Sequence, residues 1–364
     1  MEEWKEYRLG DILNFRRGHD LPRTEMKKGK IPVAGSNGII GFHNEFTPIS
    51  PCITIGRSGN VGTPYIYEEC WAHNTVLYVD DFKGNFPLYL YYLLKTLPLS
   101  SFGGGSAVPT LNRNHIHPLV VKHNPNIDVQ KRIAFILKSL DDKIELNRRI
   151  NDNLEQQAQA LFKSWFVDFE PFKDGEFVES ELGMIPKGWR VGKLGELCQF
   201  KRGKNLLSKD AKFGDVPVVA GGLEPSCYHN ISNTKSPVVT VSGSGANAGF
   251  MRMYYQEVWA SDCSFIDTSC ENLLFVYYFL SINRRLLKHA QTGAVQPHVK
   301  PADIHDFNIV IPPYNEIKKF QTKVSPIVIN NGKNEQESKK LILLRDTLLP
   351  RLMSGELKVN DVTI

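Results

Sequence analysis

Between Ile127 and Trp165 the chain carries neither proline nor glycine, and its apolar residues recur in steps of four and three. Ile133, Leu137, Leu140, Ile144, Asn147, Asn151, Leu154, Ala158, Leu161 and Trp165 fall on one heptad seam, and eight of these ten are apolar. That is the pattern of a helix laid along a partner helix. The two asparagines at its centre would fix register at some cost in stability. At ~1.5 Å per residue such a helix spans roughly 58 Å, a strut long enough to hold two domains at a fixed spacing. A second stretch, Tyr314 to Met353, follows Pro312-Pro313 and carries Ile317, Phe320, Val324, Ile327, Asn331, Asn334, Ser338, Leu341, Leu348 and Leu352. Pro326 and Gly332 predict a bend or break in it. The simplest packing is one helix against the other, antiparallel, polar middles facing; the plainer one is that each helix only covers its own domain.

The chain ahead of each long helix reads differently. Short apolar runs such as Pro51–Ile55 and Pro237–Val241, punctuated by Gly, Asn, Ser and Pro, predict strands and turns. Helical stretches follow near Pro87–Leu97 and Asn272–His289, and Phe166–Gly188, with Pro171, Gly175, Gly183, Pro186 and Gly188, reads as a loop-rich linker.

These two portions repeat one another. Trp4, Leu9, Gly10, Phe15, Arg17 and Gly18 recur as Trp189, Leu194, Gly195, Phe200, Arg202 and Gly203. Ile31–Gly35 answers Val216–Gly221, Phe42-His43-Asn44 answers Tyr228-His229-Asn230, and Ile53–Gly62 answers Val239–Gly249. Trp71-Ala72 answers Trp259-Ala260, Tyr91–Leu94 answers Tyr277–Leu280, and Ala107-Val108-Pro109 answers Ala294-Val295-Gln296-Pro297. The period is far longer than a solenoid repeat, so the chain reads as two homologous α+β domains. The divisions are 1–125 for the first, 126–170 for a long helix, 171–188 for the linker, 189–313 for the second, 314–355 for the other helix, and 356–364 for a tail. One scaffold with two different surfaces suits a protein that reads two different things.

Composition narrows the classes. The chain has 364 residues, 41% of them hydrophobic and 23% charged, which excludes wholesale disorder. It has no run of 18 uncharged apolar residues and no apolar leader at its start, so a cytoplasmic protein is expected. Six cysteines without metal spacing read as buried or incidental thiols. A net charge of +5 permits a polyanionic partner without demanding one.

Motifs for catalysis are missing. No Gly-x-x-x-x-Gly-Lys-Ser/Thr occurs, and Ser242–Gly249 fits a loop after a strand better than a dinucleotide fingerprint. Ile311-Pro312-Pro313-Tyr314 is near the Asn/Asp-Pro-Pro-Tyr loop of amino-methyltransferases, but Ile311 replaces the group that would hold the amine, so it reads as the start of a helix. Asp141-Asp142-Lys143-Ile144-Glu145 reads as a solvated helix face rather than a nuclease centre. No catalytic residue and no metal ligand is assigned.

Polar loops shared by the copies supply candidates for DNA contact. Arg16, Arg17 and His19 pair with Lys201, Arg202 and Lys204; Arg57, Ser58 and Asn60 pair with Ser244 and Asn247; Asn112 and Arg113 sit opposite His298 and Lys300. Arg and Lys contact phosphates or guanine edges, Asn pairs with adenine, and Gly lets backbone amides approach. The plain alternative is that basic turns beside glycine are solvated loops.

With these features, the phrase Ala158–Phe169 (AQALFKSWFVDF), the run Glu181–Trp189 (ELGMIPKGW) and the terminal Leu348–Leu357 (LLPRLMSGEL) make the chain resemble the specificity (S) subunit of type I restriction-modification systems. The resemblance covers nearly the whole chain. It implies two target recognition domains, each reading one half of a split asymmetric DNA site, arranged with pseudo-twofold symmetry about an antiparallel coiled coil that sets the spacing. It implies docking of modification subunits, two of them, that carry S-adenosylmethionine and methylate adenine. Restriction subunits with ATP and Mg would complete the nuclease, while the S subunit is non-catalytic and binds no cofactor itself. A fused methyltransferase and a protein-only scaffold are the other readings. Binding of S-adenosylmethionine by the chain alone would favour the first; salt-dependent duplex binding would exclude the second.

Overall fold

The computed structural model describes residues 4–104, 109–292 and 297–362, so Ala107-Val108 and Ala294-Val295-Gln296 of the repeat lie outside the described residues. The chain forms two compact units, residues 1–144 with 339–364, and residues 145–338.

In the first unit an antiparallel sheet runs in the order Asn14–Arg17, Val76–Asp81, Cys52–Gly56, Pro64–Tyr67. A second sheet orders Gly38–His43, Ile31–Gly35 and Trp71–Ala72, the last pair parallel. Lys5–Arg8 pairs with Val120–His123, and a helix spans Pro87–Thr96. In the second unit the same order returns: Lys201–Arg202, Cys263–Asp267, Val238–Ser242, Met251–Tyr254; then Cys227–His229, Val216–Val219, Trp259–Ala260, again with the last pair parallel. Arg190–Lys193 pairs with Asn308–Ile311, and a helix spans Leu273–Ile282. The alternating runs become sheets because β-branched residues of the central strands bury completely, as Ile53, Ile55, Val239 and Val241 do.

The first long helix runs Ile127–Phe166 and the second Tyr314–Ser354. In the first unit Ile133, Leu137 and Leu140 share one core with Leu348 and Leu352, and with Phe15, Tyr89 and Leu93 of the domain. Gln130, fully buried, fixes the start of the first helix: it accepts from Phe86 N (2.8 Å) and donates to Asn85 Oδ1 and Asn124 O (both 2.8 Å). Tyr92 Oη and Arg345 Nη1 both bond Asp141 (2.8 and 2.7 Å). In the second unit the polar middles meet: Asn147 Nδ2 donates to Glu337 Oε2 (2.7 Å), Asn151 Nδ2 to Asn331 O (3.0 Å) and Asn334 Nδ2 to Asn151 Oδ1 (2.8 Å). Such pairing of residue numbers, one rising as the other falls, is antiparallel.

Five expectations are corrected. The second helix is unbroken at Pro326 and Gly332. Pro326 lies on its exposed face, where water can take up the released carbonyl. Gly332 lies close against Tyr255, so that a Cβ would stand 3.0 Å from the tyrosine Cβ. Along the second half of the first helix the fully buried stripe is Ala158, Phe162 and Phe166, with Leu161 and Trp165 only partly buried, because this half covers a domain core as well as a partner helix. Asp141 is no solvated carboxylate but the partner of Tyr92 and Arg345. The linker holds a hairpin of Phe177–Ser180 with Gly183–Pro186, since Gly183 supplies a positive φ of 98° at its turn. Finally, Cys198 and Cys270 form a disulfide, their Cα atoms 6.0 Å apart where two helices converge, so not all six cysteines are thiols.

Candidate nucleic-acid interface

Much of what the copies share is framework. His43 Nδ1 accepts from Lys27 N (3.0 Å) and its ring meets Trp71 edge-on at 5.3 Å; His229 accepts from Lys212 N (2.9 Å) and meets Trp259 at 5.2 Å. His117 Nε2 accepts from Phe15 N (3.1 Å), and His305 Nε2 from Phe200 N (2.7 Å). Burial lowers the pKa of both His117 and His305, which keeps these rings neutral and able to accept. Gly18 and Gly203 press against the carbonyls of Ala72 and Ala260, so neither position tolerates a Cβ.

The candidate residues gather where the central strand of each four-stranded sheet ends. In the first unit Arg57 N donates to Thr75 O (2.8 Å), Leu111 N to Arg57 O (2.8 Å) and Gly59 N to Pro109 O (3.1 Å). In the second, Gly243 N donates to Asp262 O, Val299 N to Gly243 O and Gly245 N to Pro297 O (all 3.1 Å). Gly59 and Gly245, with φ of 83° and 78°, mark the same turn. The repeat alignment that set Arg57 against Ser244 therefore shifts by one: Arg57 answers Gly243, Ser58 answers Ser244, and Thr75 answers Asp262. Thr110 and His298 bridge to the two serines. Asn112 answers Lys300.

The chemistry at this corner differs between units. Arg57 is half-buried beside Arg17, and desolvation followed by that neighbouring charge lowers its pKa. In the second unit Arg202 extends over Gly243, into the space that Arg57 occupies in the first, and forms an ion pair with Asp262; Ser244 Oγ also donates to that carboxylate.

Several candidates are committed to structure. Asn112 Oδ1 caps a short helix at Asn114 N (2.9 Å), and Arg113 Nη1 donates to Phe15 O (3.0 Å). Lys300 N donates to Asp303 Oδ2 (2.7 Å), and Lys201 Nζ to Ser269 Oγ (3.1 Å). Arg16 pairs across to Tyr78, on the opposite face of its strand from Arg17. His19 packs against Trp71 and Tyr78. Asn60 Oδ1 accepts from Thr63 Oγ1 (3.5 Å), Asn247 ends a 3₁₀ turn, and Lys204 is exposed. The shared aromatic positions of the repeat divide: Phe42 and Tyr228, 54% and 56% exposed at matching strand positions, each offer an aromatic face that suits nucleic acid, while His43 and His229 beside them are buried. Among the described residues no cluster could hold a metal ion, and no helix is long and apolar enough to cross a membrane.

The type I restriction modification DNA specificity domain matches residues 1–156 and again 186–341. The chain belongs to the type I restriction-modification specificity family. It is 32% identical to the type I restriction enzyme MjaIX specificity subunit of Methanocaldococcus jannaschii, over 75% of this chain and 70% of that one. It is 27% identical to the HindI specificity subunit of Haemophilus influenzae, over 98% of this chain and all of that one. The fold matches the crystal structure of a type I system S subunit from M. genitalium with a TM-score of 0.67 at 15% identity, over 96% of each chain. This is a family of DNA-recognition subunits without catalysis of their own.

Proposed function

We propose that each unit of this specificity subunit reads one half of a split, asymmetric DNA site. The observation that carries this reading is the corner just described: one topology used twice, with different polar groups at the same turn. The two long helices set the spacing between half-sites and dock the modification subunits, two adenine methyltransferases that carry S-adenosylmethionine. Restriction subunits supply ATP- and Mg-dependent cleavage. The chain itself binds no cofactor and works in the cytoplasm. In this reading Arg17, Arg57, Arg202 and the exposed basic residues around them meet phosphates and base edges.

The test is the methylated motif in host DNA. It should be bipartite, and inserting one heptad into Ile127–Phe166 should change the unspecified spacer and leave the bases read unchanged. A continuous motif, or a heptad variant with the original spacer, would sink the reading. Duplex binding by the assembled complex should weaken steeply with salt.

A further inference from the structure

We propose that the turn at the end of the central strand reads one base in each half-site. Arg57 takes a guanine in the first, and Asp262, held by Arg202 and Ser244, takes an exocyclic amino group in the second. The inference rests on the bipartite reading above and deepens it by naming the contacted chemistry.

The internal duplication supplies the argument. Positions that hold the corner together are the same or equivalent in both units: Gly18 and Gly203, Gly59 and Gly245, Pro109 and Pro297. Three positions beside them change charge or hydrogen-bonding character: Arg57, partly exposed, for Gly243, buried under Arg202; Thr75 for Asp262; and Thr110 for His298. A turn kept only for folding has no reason to exchange a cation for a glycine while its backbone bonds stay in place. A turn that meets two different half-sites does.

The chemistry of each corner selects its target. Arg57 has five N–H donors and no acceptor, and among the described residues no carboxylate pairs with it or with Arg17. A donor fork fits the O6 and N7 acceptors of guanine in the major groove. Its position also favours a base over a freely solvated phosphate: it is half-buried, beside a second guanidinium, and an acceptor that fills the fork relieves both its desolvation and the repulsion. In the second unit the acceptor is built in. Asp262 receives Arg202 and Ser244, which hold it oriented with one-third of its side chain exposed. A carboxylate accepts from adenine N6 or cytosine N4 and repels phosphate and guanine O6.

The experiment compares methylated motifs in cells making the chain with its methyltransferase partner, by single-molecule sequencing of the host genome. Arg57→Ala should render one guanine position degenerate in one half-site, with roughly tenfold loss of discrimination there, and leave the other half intact. Asp262→Ala should do the same at an adenine or cytosine of the opposite half, and the wild-type motif says which of the two bases it is. If either variant abolishes methylation altogether, duplex binding by the assembled complex decides. A loss confined to duplexes carrying the wild-type base at that position supports base reading; a loss that is uniform whichever base stands there shows a phosphate anchor or a structural role and overturns the proposal. Unchanged motifs in both alanine variants also overturn it while leaving the bipartite reading intact. A wild-type motif that is not bipartite would instead remove the reading on which it rests.

Discussion

Single residues here divide into those the fold needs and those it leaves free, and the copies tell them apart. Gly18 and Gly203 are framework: a Cβ at either would collide with a backbone carbonyl of the neighbouring sheet. Gly18→Ala and Gly203→Ala should each destabilise the protein by about 2–4 kcal/mol, read as a lower denaturation midpoint with unchanged slope. His123 makes a different prediction. Fully enclosed between the rings of Tyr7 and Tyr89, it has its pKa pushed down to about 4 by desolvation. The unfolded chain, with a histidine near 6.5, binds this proton first. Stability from the neutral ring is therefore whole above about pH 6.5 and is lost as pH falls toward 4. Thermal melting across that window should show this slope, and His123→Phe should flatten it. His117 and His305 are shifted the same way and leave a residual slope. A steeper slope in the variant would contradict the assignment. Of these roles, only the glycines stood out in the sequence. Of the histidines, only His43 and His229 were read as a repeat, and a histidine bonded to a backbone amide and one facing a base look alike on paper.

At the level of elements, the two long helices and the central strands were legible because their periodicity is strong. What the pattern misplaced was the buried face beyond Asn151. A heptad seam describes a helix with one partner; the second half of this helix also covers a domain, so its buried stripe widens to Ala158, Phe162 and Phe166. Phe162→Ala should cost about 3–5 kcal/mol, since its ring packs on Phe166, Phe275 and Phe320 at centroid distances of 5.0 to 5.4 Å. Leu154→Ala, on the nominal seam but only half-buried, should cost less than half as much. Equal losses in chemical denaturation would restore the simple heptad. In the first unit the charged link is Tyr92–Asp141–Arg345, with the two charged side chains 27% and 19% exposed. Arg345→Leu strands a partly buried carboxylate and should cost roughly 1–3 kcal/mol. Adding Asp141→Asn should recover part of that loss, a coupling that a double-mutant cycle measures directly.

For the whole molecule, the duplication was the most readable feature, and it led to the two-domain division at residue 125. The packing cuts elsewhere. The first unit is not the N-terminal stretch alone: Leu348, Leu349, Leu352 and Val359 from the other end of the chain belong to its core, beside Tyr89, Leu93 and Ile133. The antiparallel packing expected of the two helices brings Leu348 and Leu352 to Ile133, but no local pattern shows that Tyr89 and Leu93 join them, because that depends on which face of the helix pair meets the domain. It constrains the test of modular reading. Replacing residues 1–125 with the corresponding segment of another specificity subunit should change one half of the methylated motif and leave the other half as it was. The graft should fold only when the incoming segment keeps large apolar side chains where Tyr89, Leu90, Leu93 and Leu94 stand, since these fill the core that the retained helices complete. A polar residue at Leu93 in the graft should lower the melting temperature of the chimera and reduce methylation at every site without changing the motif. If such a graft folds normally, or if the exchange alters both halves of the motif, reading and framework are not separable in the way the duplicated corner requires.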